Sequence, residues 1–228
     1  MTAIKSAGGS VAGEREAMLA AIRESVRNSA TYTGRQTLSE RVMAAMASVP
    51  REEFVLPAYR HRAYDNTPLP IEAGQTISQP LIVALMTELL DTRPGDVILE
   101  VGTGSGYQAA VLAGLVEQVY GIEIVPELAA GAARVLARLG YDNVYVREGD
   151  GYAGWPELAP FDGIIVTAAA PEIPPPLLDQ LKPGGRLVIP VGAAHGEQDL
   201  LLVEMGEDGD VRERSVLPVR FVPLTGER

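Results

Sequence analysis

The segment Glu100-Val101-Gly102-Thr103-Gly104-Ser105-Gly106 joins an apolar run to an amphipathic one and sets three glycines at alternate positions. Glycines so spaced permit a tight turn and let the backbone approach a ligand with no Cβ in the way. A helix beginning just after the turn adds a weak positive field. Such a turn also serves helix packing, so the neighbouring residues must narrow the ligand. A dinucleotide fingerprint needs glycine where Tyr107 stands, and Glu100 beside the loop repels a pyrophosphate. Both count against a nicotinamide cofactor and an oxidoreductase. S-adenosylmethionine carries no phosphate and has a cationic sulfonium and a cationic amino group, so an acidic approach suits it. Glu123, at the end of the next apolar run, is placed to accept hydrogen bonds from both ribose hydroxyls, as an acid does in dinucleotide folds. Asp150-Gly151, after a third run, is the third expected contact, toward an adenine amino group, although Asp-Gly is also an ordinary turn pair.

Those residues need a frame in which strand ends converge. Apolar runs at 97–101, 119–124, 144–147 and 163–166 read as strands, with helical patterns at 107–116 and 127–139 between them. A short helix over 174–181 and strands over 186–191, 200–205 and 220–224 complete the pattern. Alternation of this kind predicts an open, mostly parallel sheet with helices on both faces, which binds ligands at the carboxyl ends of its strands. Ahead of it, 14–28 has helical spacing, and Thr37-x-x-Glu40 reads as a capping box opening a second helix. Residues 51–76 hold three prolines and no sustained period, a connection long enough to cover a site. The next helix, 80–90, has Ser78 as its expected N-cap. The division expected is a disordered start at 1–13, a helical extension and cover segment at 14–75, and a main domain at 76–228 packed with the extension as one unit.

A net charge of −11 works against a partner held by phosphate attraction, so no nucleic acid is expected. Charge is uneven: nine basic and eight acidic residues lie in 1–75, against ten and twenty-two in 76–228. The chain has no cysteine, which excludes disulfides, thiolate nucleophiles and Cys-ligated metal, and no metal site is expected. Neither histidine, His61 or His195, stands in a catalytic motif. With no run approaching a membrane span, no membrane partner and a cytoplasmic location are expected.

Val49-Pro50-Arg51-Glu52-Glu53-Phe54, Gly74-Gln75-Thr76-Ile77-Ser78-Gln79-Pro80, the stretch from Ile98 through the glycine loop to Ala110, Val166-Thr167-Ala168-Ala169-Ala170-Pro171 and Leu181-Lys182-Pro183-Gly184-Gly185 together resemble the protein-L-isoaspartate O-methyltransferase family. The likeness covers about residues 37–225, and the Gln-Thr-Ile-Ser-Gln-Pro segment is far more specific than the glycine loop. It implies a class I S-adenosylmethionine-dependent methyltransferase fold, Rossmann-like and doubly wound, with an N-terminal helical extension. It implies S-adenosylmethionine as methyl donor, S-adenosylhomocysteine as product, and as acceptors the L-isoaspartyl residues of damaged peptides and proteins, with D-aspartyl residues as a further acceptor. By the same resemblance Ser78 is the active-site hydroxyl. Gln79 and Ile124 join Glu100, Gly102, Thr103, Gly104, Ser105, Gly106, Glu123, Asp150 and Gly151 around the cofactor. Thr76, Ile77, Val222, Pro223, Leu224 and Thr225 lie toward the substrate, and a monomer is favoured. Where such enzymes methylate base amines, an Asn or Asp before prolines and an aromatic is usual; Thr167 and three alanines stand here instead. The alternative is a methyltransferase of the same fold with a small-molecule acceptor.

Overall fold

The computed structural model describes residues 10–194 and 196–227. Positions 1–9 of the expected disordered start, and His195, lie outside the described residues. Ser10 to Gly13 are already structured, because the Ser10 hydroxyl accepts the Gly13 N–H at 3.2 Å and caps α1 (Val11–Asn28). A single turn, α2 (Ala30–Thr33), leads to α3 (Glu40–Ser48). The capping box expected at Thr37 does not form. Ser39 caps α3 instead, accepting the Val42 N–H while its own N–H and hydroxyl donate to Glu88 Oε2 at 2.9 and 2.8 Å.

The connection 51–79 is a series of 3₁₀ turns carrying a small antiparallel pair, β1 (Leu69–Pro70) and β2 (Thr76–Ile77), and leads into α4 (Pro80–Leu90). Strand and helix then alternate as the apolar runs predict: β3 (Val97–Val101), α5 (Tyr107–Ala113), β4 (Gln118–Glu123), α6 (Pro126–Arg138), β5 (Val144–Glu148), β6 (Phe161–Val166), α7 (Pro175–Asp179) and β7 (Leu181–Gly192). The sheet runs in the order β5-β4-β3-β6-β7-β8-β9. Its first five strands are parallel, and β8 (Gln198–Met205) and β9 (Val211–Val219) are antiparallel additions. The last strand was expected over 220–224 but ends at Val219. Beyond it the chain crosses to the middle of the sheet and forms an isolated parallel bridge between Pro223 and Ala169.

Period-two alternation divides the core between the faces of the sheet. Ile98, Ile165 and Val188 pack under the helices of the extension and of α4 and α5, whereas Leu99, Val101, Ile164, Val166 and Leu187 pack on the opposite face with Leu177 of α7. Met18, Ile22, Met46 and Val49 belong to the same cluster as the sheet residues, so the extension shares the main core.

Its arginines explain why 1–75 is the less acidic part of the chain. Arg15 donates to the Ala47 carbonyl and the Tyr64 hydroxyl, Arg41 donates to the Thr92 and Leu115 carbonyls, and Arg35 pairs with Glu88 at 3.2 Å. Arg51 is fully buried, donating to the Ala63 carbonyl and to the Ser78 carbonyl, each at 2.8 Å, with its guanidinium 4.6 Å from the centre of the Tyr107 ring. Burial pushes its pKa down, opposed by the Tyr107 ring. Cutting Arg51 back to methionine leaves two carbonyls without donors. Arg51→Met is therefore expected to lower the free energy of urea unfolding by about 2–4 kcal/mol, and a loss under 1 kcal/mol would contradict this account.

Candidate active site

A cleft of about 760 Å³, open to solvent, lies at the carboxyl end of β3, where the chain turns one way to β4 and the other way to β6. Glu100, Gly102, Thr103, Gly104 and Ser105 form its floor. Glu123 and Ile124, at the end of β4, form one side, and Thr76, Ile77 and Ser78 form the rim below the cover segment. Gly151 and the segment Val222, Pro223, Leu224 and Thr225 close the far side.

Three of the expected residues stand outside this wall. Gly106 has φ +87°, and a Cβ there would come within 3.1 Å of Leu136 Cδ1 and 3.3 Å of Ala132 Cβ, so this glycine lets α5 start against α6. Gln79 occupies the α4 cap position and donates through Nε2 to the Asn66 carbonyl at 3.0 Å. The Asp150 carboxylate accepts the N–H groups of Tyr152 and Glu227, at 2.9 and 2.6 Å, and so fastens the chain beyond Thr225.

Most amides of the glycine loop are committed within the protein: those of Gly102 and Thr103 to the Ile122 carbonyl, that of Gly104 to Glu123 Oε2 at 2.8 Å and that of Gly106 to the Thr103 carbonyl at 2.8 Å. What the loop gives a ligand is close approach and the amide of Ser105, which has no acceptor among the described residues. Glu123 Oε1 also accepts the Val125 N–H at 3.0 Å, which leaves about half of the carboxylate's four acceptor positions for a ligand. Gly102 is required by a residue that spacing did not single out, since a Cβ there would stand 2.9 Å from Thr167 Oγ1. That hydroxyl lies between the Gly102 and Val101 carbonyls and, donating its one proton there, ties the end of β6 to β3.

Ser78 is not the N-cap of α4, because the helix starts one residue later than that role needs. Nor does the helix end offer an anion its amides. Pro80 has none, Leu81 donates to Asn66 Oδ1, and Ile82 and Val83 donate to the Gln79 carbonyl. The Ser78 carbonyl is held by Arg51 while its hydroxyl has no hydrogen-bond partner among the described residues, on a residue of the cleft wall. The alanines after β6 permit a close backbone passage, and the backbone that passes is the chain's own. Ala169 donates to the Val222 carbonyl and accepts from the Leu224 N–H, both at 2.8 Å.

Glu100 shares the face of Ile98 and therefore points under α5, away from water. Neither of its oxygens has a hydrogen-bond partner. Burial pushes its carboxyl up to about 8, with the Glu123 carboxylate adding to the rise, while the nearby Thr103 hydroxyl and Ala109 amide, neither at bonding geometry, oppose it. Among the described residues no lysine, arginine or histidine lines the cleft. A cleft with two carboxyl groups, that of Glu123 charged, and no cation has room and charge for a cationic nucleoside, so the residues present fit S-adenosylmethionine. Two wall residues that sequence reasoning left without a role are Gln75, at the rim, and Gln108, the only polar side chain of α5 besides Tyr107. A lone amide in an apolar helix is the signal by which Gln108 could have been found.

Comparison with known proteins agrees with this geometry. Residues 27–228 match the family model for protein-L-isoaspartate(D-aspartate) O-methyltransferase. The chain is 61% identical over 212 residues to protein-L-isoaspartate O-methyltransferase 2 of Syntrophobacter fumaroxidans, covering 93% of this chain and 86% of that one. It is 61% identical over 211 residues to the protein of the same name from a Polaromonas species, covering 92% and 100%. Among solved structures, a protein-L-isoaspartate O-methyltransferase superposes with a TM-score of 0.79 at 30% identity, over 93% of this chain and 66% of that one. A beta-aspartate methyltransferase from Plasmodium falciparum in complex with S-adenosyl-L-homocysteine gives 0.76 at 26% identity, over 92% and 98%.

The state of Glu100 sets a pH dependence. Without a ligand the folded protein keeps this proton up to about pH 8, whereas the unfolded chain releases it near the ordinary 4.5, so between those values the folded state binds more protons. This contribution to stability falls as pH rises through that window and is level above it. The melting temperature of the ligand-free protein is expected to decline less between pH 5 and pH 8 in Glu100→Gln than in the parent. Parallel curves would refute the assignment.

Proposed function

The chain belongs to the protein-L-isoaspartate(D-aspartate) O-methyltransferase family, and from that premise we propose that it moves the methyl group of S-adenosylmethionine to the free carboxylate of isoaspartyl residues in damaged proteins. The cofactor supplies an electrophilic methyl group on a sulfonium. An acceptor carboxylate ionises near pH 4, as an aspartate does, so no residue of the cleft has to remove a proton, and the wall holds no histidine to do so. The task of the protein is alignment and exclusion of water.

The observation that carries this reading is the Ser78 hydroxyl, held on the wall by its own carbonyl through Arg51 and left free to donate. Its role is to orient one oxygen of the acceptor. Gly102, Thr103, Gly104 and Ser105 let the cofactor close on the end of β3, and Glu123 keeps acceptor positions for ribose hydroxyls. The extended segment at 222–225, paired to Ala169, and Thr76 and Ile77 opposite offer a groove for an extended peptide. A carboxylate has no oxygen that can depart, whereas its methyl ester has a methoxy group that can leave as methanol. The next backbone nitrogen can then close a succinimide with loss of methanol, and hydrolysis reopens it in part as ordinary aspartate. A wall without lysine or arginine favours protein over nucleic-acid acceptors, and we read the chain as acting as a monomer. Among the described residues, no helix is long and apolar enough to cross a membrane.

Labelled methyl from S-adenosylmethionine is expected to pass to a peptide containing isoaspartate and not to the same peptide with aspartate. Transfer to neither, with the cofactor bound, would turn the search to small-molecule acceptors. Ser78→Ala is expected to lower transfer at least about tenfold with melting temperature and S-adenosylhomocysteine affinity unchanged, because the hydroxyl makes no bond within the fold. Full activity in that variant would remove Ser78 from the mechanism.

A further inference from the structure

Gln108 is buried, 6% exposed, on the side of α5 that faces the cleft. Its amide orientation follows from its neighbour. The Thr87 hydroxyl donates its one proton to the Val83 carbonyl at 2.8 Å, so toward Gln108 it can only accept. The contact of 2.9 Å between Gln108 and Thr87 Oγ1 must therefore be made by Nε2. Oε1 is left as the free end of the side chain, and it has no hydrogen-bond partner. The two oxygens of Glu100, on the same cleft wall, are equally without partners. A buried polar atom that finds no partner in the fold costs about 1–3 kcal/mol, and such atoms on two residues lining one cleft describe a place for something that brings donors.

Resting on the cofactor reading above, we propose that Gln108 is a cofactor-binding residue, held by Thr87 so that its Oε1 and the Glu100 carboxyl together accept hydrogen bonds from the ammonium of the cofactor's amino-acid end. An ammonium carries three donors and no acceptor, matching a wall that at this point offers acceptors and no cation. A neutral donor such as water could satisfy Gln108 but would leave Glu100 protonated, whereas an ammonium also brings the counter-charge with which Glu100 can ionise. Gln108 contributes direction and Glu100 charge.

The test compares S-adenosylhomocysteine, which has the ammonium, with 5′-methylthioadenosine, which lacks the amino-acid end, by calorimetric titration of the full chain. Gln108→Leu is expected to weaken S-adenosylhomocysteine about tenfold or more and to leave 5′-methylthioadenosine unchanged. A purely structural role would weaken both ligands alike, and that result, or no change in either, would overturn the proposal. Thr87→Val, which removes the partner that orients the amide, is expected to weaken S-adenosylhomocysteine by a smaller factor. In the double variant Thr87→Val should add nothing to the loss caused by Gln108→Leu, whereas additive losses would contradict the orienting role. If the parent protein binds neither ligand, the cofactor reading itself falls and this inference with it. Parent binding with no discrimination by Gln108→Leu removes this inference alone.

Discussion

Taking a guanidinium out of water costs several kcal/mol unless its donors find acceptors and its plane finds a face to lie on, and the chain meets most of that demand for Arg51 with three separate segments, leaving Nη1 without a partner among the described residues. Ala63 comes from the turn after the second 3₁₀ stretch, Ser78 from the approach to α4, and Tyr107 from the start of α5. Each belongs to a different part of the site: the cover, the acceptor rim and the helix that follows the glycine loop. The side chain does not line the cleft, yet the rim and the loop helix keep their relative placement through it. Arg15 and Arg41 of the extension act in the same manner on carbonyls at the ends of α3, α4 and α5, which helps clamp the front of the chain to the main core.

Charge follows an opposite rule within the cleft. The wall holds two acids and no base, and one of the acids is buried at the middle strand of a parallel sheet, where no water relieves it. Such a site is poor for phosphate and poor for free carboxylates, and good for a cation. The acceptor of the reaction is an anion, so the surface that must receive it becomes hospitable only after positive charge has entered.

Much of this is legible in the sequence where local pattern and tertiary demand coincide. The runs ending at Val101, Glu123 and Val166 are apolar on both faces because helices or other core elements cover both, and the glycines between Gly102 and Gly106 mark a turn that few other residues could make. Legibility fails where a distant partner decides. Thr37 and Ser39 are both plausible caps by spacing, and Glu88 on α4 selects Ser39. The strand Val211–Val219 is charged and largely exposed at a sheet edge, so it carries no alternation to read. Arg51 looks like any surface arginine until the fold closes around it. Gln108 gains its direction from a hydroxyl 21 positions away.

The far wall of the cleft, Val222 to Thr225, follows every strand of the sheet in chain order and is laid onto Ala169 from outside the ladder. On the ribosome all seven strands of the main sheet therefore emerge before the wall does, and domains begin to fold as they emerge. A nascent chain can have its sheet, its glycine loop and its buried acid in place while the cleft still lacks one side. Proteolytic nicking between Val219 and Val222 would leave that wall tied to the sheet by side-on bonds alone, those to Ala169 and to the Asp150 carboxylate.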